Sequence, residues 1–421
     1  MSKLTLFLPP FAADYSGACS VLFPFDCMVV ILDAGCCTRN YAEYDEPRWT
    51  SSRKPAFSAQ IRTLDTVMGD EQGIVDQVIE AARELSPACI ALVGTPVPAV
   101  VGMDLPGIAA DIRRASGIPC LGIATNGFDT YEHGVSRALR ALAEEFALPE
   151  AAPSCEARAR DAAAHRPLRV SLLGMTPLDY PDCSVISDWR DWLGARDIEI
   201  VFDGVSSFGP SDVAAFASAD ASIAVSWGGL AAARLLQRRA GVPFVAGAPL
   251  NEALAAELAY RLRAAASGAS GPGGSIAGGL GGNASSAPVD GGAPDEDPRV
   301  LLVGDQVMMG SVRSALEHAD GRLGEGAVAI ATFFARDAAL TRENDVALSE
   351  DAQLEAYLKA HPGVLTVGDP LLRRLPSSGE MVEAVHPAIS GQLFLDACAA
   401  GSGRLDEIRL NAILSRCVSL Y

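Results

Sequence analysis

"ACIALVGTPVPAVVGMDLPGIAADIRRASGIPCLGIA", residues 88–124, sets two short apolar runs on either side of a helical one. The runs 88–94 and 118–124 are continuously apolar rather than alternating, as strands covered on both faces are. Between them "DLPGIAADIRRA" (104–115) spaces its apolar residues by three and four, and its acidic start and basic end suit the helix dipole. The pattern predicts parallel α/β winding. Working outward, "CMVVILD" (27–33) repeats the buried-strand pattern and "GIVDQVIEAAREL" (73–85) the helical one.

The same alternation recurs twice more. After the Ala/Arg-rich bridge 151–167 come the strand-like "LRVSLLG", "DIEIVF", "ASIAVSW" and "VPFVAG", with helices "SVISDWRDWLGA", "GLAAARLLQRRAG" and "NEALAAELAYRLRAAA". A third set opens at "RVLLVGDQVMMGSVRSALEHA" and continues through "GAVAIATFFA", "DAQLEAYLKAHPG" and "VLTVGDPLLRRL". The expected fold class is therefore α/β with three Rossmann-like parallel-sheet domains: residues 1–150, 166–265 and 298–421. Residues 266–297 are Gly, Ser, Ala and Pro with little to bury, and read as a flexible linker or disordered insert.

At 421 residues the chain exceeds one ordinary core, and 49% apolar with 20% charged residues describes a folded globular protein. Thirty-three basic against 52 acidic side chains give a net charge of -19, which argues against nucleic acid because phosphate binding needs a basic face. No apolar stretch reaches the roughly 20 residues of a spanning helix, and "MSKLTLFLPP" lacks the pattern of a signal peptide. The expected location is the cytoplasm, where ten cysteines are buried, catalytic or metal-bound rather than paired.

Ligands in such folds gather beyond the carboxyl ends of strands. The glycine string "GGSIAGGLGG" follows no strand, and "LLVGDQVMMGS" reads as a plain strand-to-helix connection. There is no G-x-x-x-x-G-K-[ST] loop and no G-x-S-x-G elbow. His386 reads as a structural histidine, and His133 as solvent-facing. Cys27, Cys89 and Cys120 lie in apolar runs and read as core, while Cys155, Cys398 and Cys417 lack chemical neighbours. Cys183, before a helix, keeps a functional reading open. Cys19 in "DYSGACS", with Cys36 and Cys37 in "LDAGCCTRN", stands in glycine-containing turns where thiolates can converge. Spacing alone leaves metal binding, packing and a regulatory thiol all open.

These stretches, with "LDTVMGDEQGIVDQVIEAARELSPACIALVGTPVPAVVGMDLPGI", "GIPCLGIATNGFDTYEHGVSRAL" and the later "DPLLRRL" and "EAVHPAISGQLF", resemble component 1 of the nitrogenase and protochlorophyllide reductase superfamily. The resemblance spans nearly the whole chain except 266–297. It implies an oxidoreductase subunit with an iron–sulfur cluster shared at the interface with a homologous subunit, in a homo- or hetero-oligomer. It also implies a separate P-loop iron protein that binds the ATP and delivers electrons. Carried over, two cluster cysteines fall on Cys19 and Cys37, with Cys36 at the family's preceding glycine. The third falls on Pro96, which cannot ligate. For the larger cofactor of the nitrogenases, the resemblance offers only Cys183 and His386. Some branches reduce tetrapyrrole double bonds or carbon–sulfur bonds. A non-catalytic metallocluster assembly scaffold is the alternative, and a small-molecule-binding subunit without a cluster is a third reading.

Overall fold

The computed structural model describes residues 6–50, 56–62, 71–148, 166–268, 298–320, 323, 326–396, 413 and 416. The linker reading of 266–297 therefore falls almost wholly outside the described residues, as do Cys155, Cys398 and Cys417. Three separate sheets form, every strand pair in them parallel. The first contains β1 (Met28–Ile31), β2 (Ala56–Ser58), β3 (Ile90–Val93) and β4 (Cys120–Ile123) in the order β2-β1-β3-β4. The second runs β6-β5-β7-β8, from β5 (Leu168–Leu173), β6 (Ile198–Phe202), β7 (Ala221–Ala224) and β8 (Phe244–Ala246). The third runs β11-β10-β9-β12-β13, from β9 (Val300–Val303), β10 (Val328–Thr332), β11 (Val346–Ala347), β12 (Leu365–Gly368) and β13 (Met381–Glu383).

The continuous apolar runs are the reason. All four residues of β1, β3, β7, β9 and β12 are buried, because helices cover both faces and no position needs to be polar. In each sheet the chain order reverses beside the first strand: at β1/β3, at β5/β7 and at β9/β12. A crevice opens beyond the carboxyl ends of such a pair.

One expectation about the first unit is corrected. Cys19 does not stand in a turn; "DYSGACSVL" forms a helix, Asp14–Leu22, all nine residues of which are buried. Gly17, read as a turn glycine, is where this helix crosses the helix Tyr131–Leu142. A methyl group at Gly17 would collide with the Tyr131 carbonyl oxygen, and one at Gly134 with the Asp14 carbonyl oxygen. Reciprocal glycines let the two backbones touch. A helix wrapped on all sides shows no amphipathic period, so its sequence resembles a loop.

Candidate metal centre at the first switch point

β1 ends at Ile31, and the chain then turns at the first switch point. Gly35 takes φ +102°, a conformation that favours glycine, and the short helix Cys36–Asn40 starts directly after it. Asp33, fully buried, fixes this corner. Its Oδ2 accepts from the Thr38 backbone N–H at 2.8 Å, and its Oδ1 accepts from the Thr38 and Ser58 hydroxyls at 3.1 and 2.6 Å. Cys36 and Cys37 are thereby held side by side, their sulfurs 4.0 Å apart, with Cys36 exposed and Cys37 half-buried.

The Asp33 oxygens and the two sulfurs supply three donor atoms within 4.8 Å of one another, the only such group of three or more metal-donor side chains among the described residues. Sequence reasoning picked out both cysteines and missed Asp33. A signal existed: an aspartate follows the end of β1, β6, β9 and β12 within two residues, in "VILD", "IVFD", "LVGD" and "TVGD". Each of these aspartates accepts hydrogen bonds from the turn that follows it.

Cys19 is not in that group. Its thiol lines a cavity of about 20 Å³ with Leu22, Phe25, Cys27, Tyr41 and Trp49, space for a single water. Tyr15, one turn before Cys19, links the two places: its hydroxyl accepts from Asn40 Nδ2 at 3.3 Å, and Asn40 ends the short helix that carries Cys37. Burial first, then the Cys36 sulfur and Asp33, push the Cys37 thiol up to about 12. Burial and the charges of Glu46, Asp33 and Asp45 hold Cys19 well above the ordinary thiol range. A bound cation reverses this logic, because it stabilises the thiolates that the acidic surroundings oppose. Thiol donors thus suit an iron–sulfur cluster at Cys37, while the narrow space of about 20 Å³ at Cys19 does not admit one in the isolated chain.

Pro96 begins the helix Pro96–Val101 directly after β3, a first-turn position where its missing N–H costs nothing. Its ring meets the backbone of Gly127, which takes φ +72°. Among the described residues no group of three or more metal-donor side chains includes this position.

The other two switch points meet each other, against the helix Tyr131–Leu142. Tyr131 donates its hydroxyl to Asp179 Oδ1, beyond β5, and lies 3.2 Å from His386 Nε2, beyond β13. His386 Nε2 also stands 3.5 Å from Asp179 Oδ1, whereas its buried Nδ1 has no hydrogen-bond partner. Phe334 packs edge-on to both rings. Asp305, beyond β9, accepts from the Val307, Met308 and Trp227 backbone N–H groups, and burial followed by the Asp179 charge pushes its carboxyl up to about 7. His386 is thus a structural residue in part. His133 is half-buried against Trp227, ring centroids 5.1 Å apart, rather than free in solvent. Cys183 donates to the Tyr180 carbonyl at 3.4 Å, and burial pushes its thiol up to about 12. Cys183 and His386 have separate partners. Cys89 and Cys120 are core residues as expected; Cys27 is half-buried beside Cys19.

Three parallel α/β units, with thiols at one switch point and the other two closed on each other, define a multi-unit Rossmann-like protein with two thiols and a carboxylate gathered at one corner. The chain belongs to the nitrogenase component 1 type oxidoreductase family, whose family model matches residues 13–265. Among solved structures it is similar in fold to nitrogenase Cp1 at pH 6.5, with a TM-score of 0.62 and 12% identity, covering 99% of this chain and 95% of that one. A structure of nitrogenase Cp1 at pH 5 is similar as well, with a TM-score of 0.59 and 12% identity over 100% of this chain and 90% of that one. No curated protein sequence matches the chain. Among the described residues no helix is long and apolar enough to cross a membrane.

Proposed function

We propose that the chain is a cytoplasmic, nitrogenase-like component 1 oxidoreductase subunit that holds an iron–sulfur cluster through Cys37 and Cys19 at an interface with a homologous subunit. Electrons reach it from a separate P-loop iron protein, which alone binds ATP. The observation that carries this reading is the family match across residues 13–265, which contains both cysteines. Two features of the first switch point support it. Cys37 lies half-buried beside exposed Cys36, so the sulfurs are reachable from outside. On the same carboxyl edge Val100 and Phe128 are 74% and 69% exposed, apolar surface of the kind that a partner covers. When bound, the cluster supplies one-electron transfer. Cys37 serves as ligand, Tyr15 and Asn40 fix its helix, and Cys19 joins once the aromatic wall of Tyr41 and Trp49 moves aside on association.

Anaerobic purification with iron and sulfide analysis tests the cluster. The expected preparation is brown and absorbs at roughly 400 nm. Cys37→Ser and Cys19→Ser lose the iron, whereas Cys36→Ser or Cys36→Gly retains it. A colourless, iron-free protein after reconstitution sinks the reading. Turnover with reductant, ATP and the iron protein then separates a reductase from a scaffold, which loads the cluster without turnover.

A further inference from the structure

We propose that Asp33, Cys36 and Cys37 form a site for a single thiophilic divalent cation, of the Zn²⁺ or Fe²⁺ class, with water completing its coordination. The donor geometry is already close to what such an ion needs. In a tetrahedral site with metal–sulfur bonds of about 2.3 Å, two thiolate sulfurs stand about 3.8 Å apart. Here they stand 4.0 Å apart, with the Asp33 carboxylate inside the same 4.8 Å group. Side chains of consecutive residues usually diverge. Here Cys36 and Cys37 open a short helix straight after the left-handed Gly35, and their sulfurs converge to 4.0 Å.

Asp33 has the character of an oriented ligand. It is 0% exposed, and the donors that hold it are neutral: one backbone N–H and two hydroxyls. A carboxylate offers about four acceptor positions, so three hydrogen bonds leave one for a metal. Hydrogen bonds of this kind aim and fix first-sphere carboxylates in metal sites. Capping of the following turn explains the Thr38 N–H contact, but not why both sulfurs gather at the same carboxylate. Exposed Cys36 supplies the entry path. All three donors lie within residues 33–37 of one chain. The site shares Cys37 with the cluster reading but needs neither Cys19 nor a second subunit.

The test uses the full chain, purified anaerobically, stripped with chelator and titrated with Co²⁺ as the spectroscopic probe. The expected result is about one Co²⁺ per chain with strong sulfur-to-cobalt charge-transfer absorption, displaced by Zn²⁺. Cys36→Ser, at an exposed position that leaves the fold intact, loses much of that absorption. Asp33→Asn keeps both sulfur ligands and weakens Co²⁺ binding by at least about tenfold. Cys19→Ser binds Co²⁺ as the wild type does while failing to take up iron and sulfide. Wild-type protein without thiolate charge transfer, full absorption in Cys36→Ser, or loss of Co²⁺ in Cys19→Ser would each overturn the site. Because Cys19→Ser separates cobalt binding from cluster loading, failure of this site and failure of the cluster reading give different results.

Discussion

Asp305 shows how one residue sets a property of the chain. Its carboxyl is fully buried, and burial together with the Asp179 charge raises it to about 7. The folded protein therefore holds a proton that the unfolded chain, at about 3.9, has released between roughly pH 4 and 7. Stability contributed by this protonated form is present below that window and lost as pH rises through 7, at about 1.4 kcal/mol for each tenfold change in proton affinity. Asp45, raised to about 6 by burial, has the same sign. Asp203 and Asp220, lowered by hydrogen bonds and arginine partners, have the opposite sign and act only below about pH 4. Urea midpoints are expected to fall from pH 5 to pH 8, and Asp305→Asn should flatten that slope even though Asn cannot accept all three N–H groups. An unchanged slope in the variant would assign the titration elsewhere. Residues of this kind were poorly legible in the sequence. Cys36 and Cys37 were visible because thiols in a glycine turn are unusual, whereas Asp33 and Asp305 read as ordinary loop carboxylates whose burial depends on distant strands.

At the scale of elements, legibility followed the physics of covering. The inner strands β1, β3, β5, β7, β9, β10 and β12 were readable because they are largely apolar and buried on both faces, and the edge strands β4, β6 and β8 because they too lie in mostly apolar runs. β2, β11 and β13 have two or three residues at sheet edges, too few to make a run. The helix Asp14–Leu22 was missed because it is buried all round, and its glycine serves a crossing rather than a turn. Its contact with Tyr131–Leu142 is backbone against backbone, so a Cβ cannot be absorbed by a rotamer change. Overpacking typically costs about 1–3 kcal/mol, and here the axes themselves must part. Gly17→Ala and Gly134→Ala are each expected to lower the unfolding free energy by at least about 1–3 kcal/mol, read from urea midpoints. Gly194→Ala, at a helical position with nothing within 4 Å of the added methyl, should be neutral or slightly stabilising. Equal effects at all three glycines would mean that helix propensity, not the crossing, decides.

Across the whole molecule, the number of units could be counted from repeated strand and helix patterns, but the way they meet could not. Tyr131 is 48 residues from Asp179 and 255 from His386, and nothing local announces that the three side chains share one buried site. That site ties the units together: Tyr131 comes from the first, Asp179 from the loop after β5 and His386 from the segment after β13. Tyr131→Phe keeps the ring and its edge-on packing with Phe334, and removes only the hydroxyl. Asp179 Oδ1 then loses its Tyr131 donor, and His386 Nε2 keeps only its 3.5 Å approach to Asp179. A buried polar group left short of a partner costs about 1–3 kcal/mol. Because that cost falls on the contact between units rather than inside one, hydrogen exchange should quicken together at 131–142, 175–180 and 384–390, with the sheet interiors unchanged. A double-mutant cycle of Tyr131→Phe with His386→Asn should show coupling of about 0.5–3 kcal/mol, as residues in one network do. Exchange that quickens around Tyr131 alone, with additive mutants, would mean that the units are held by their apolar faces and that the hydroxyl merely fills its place.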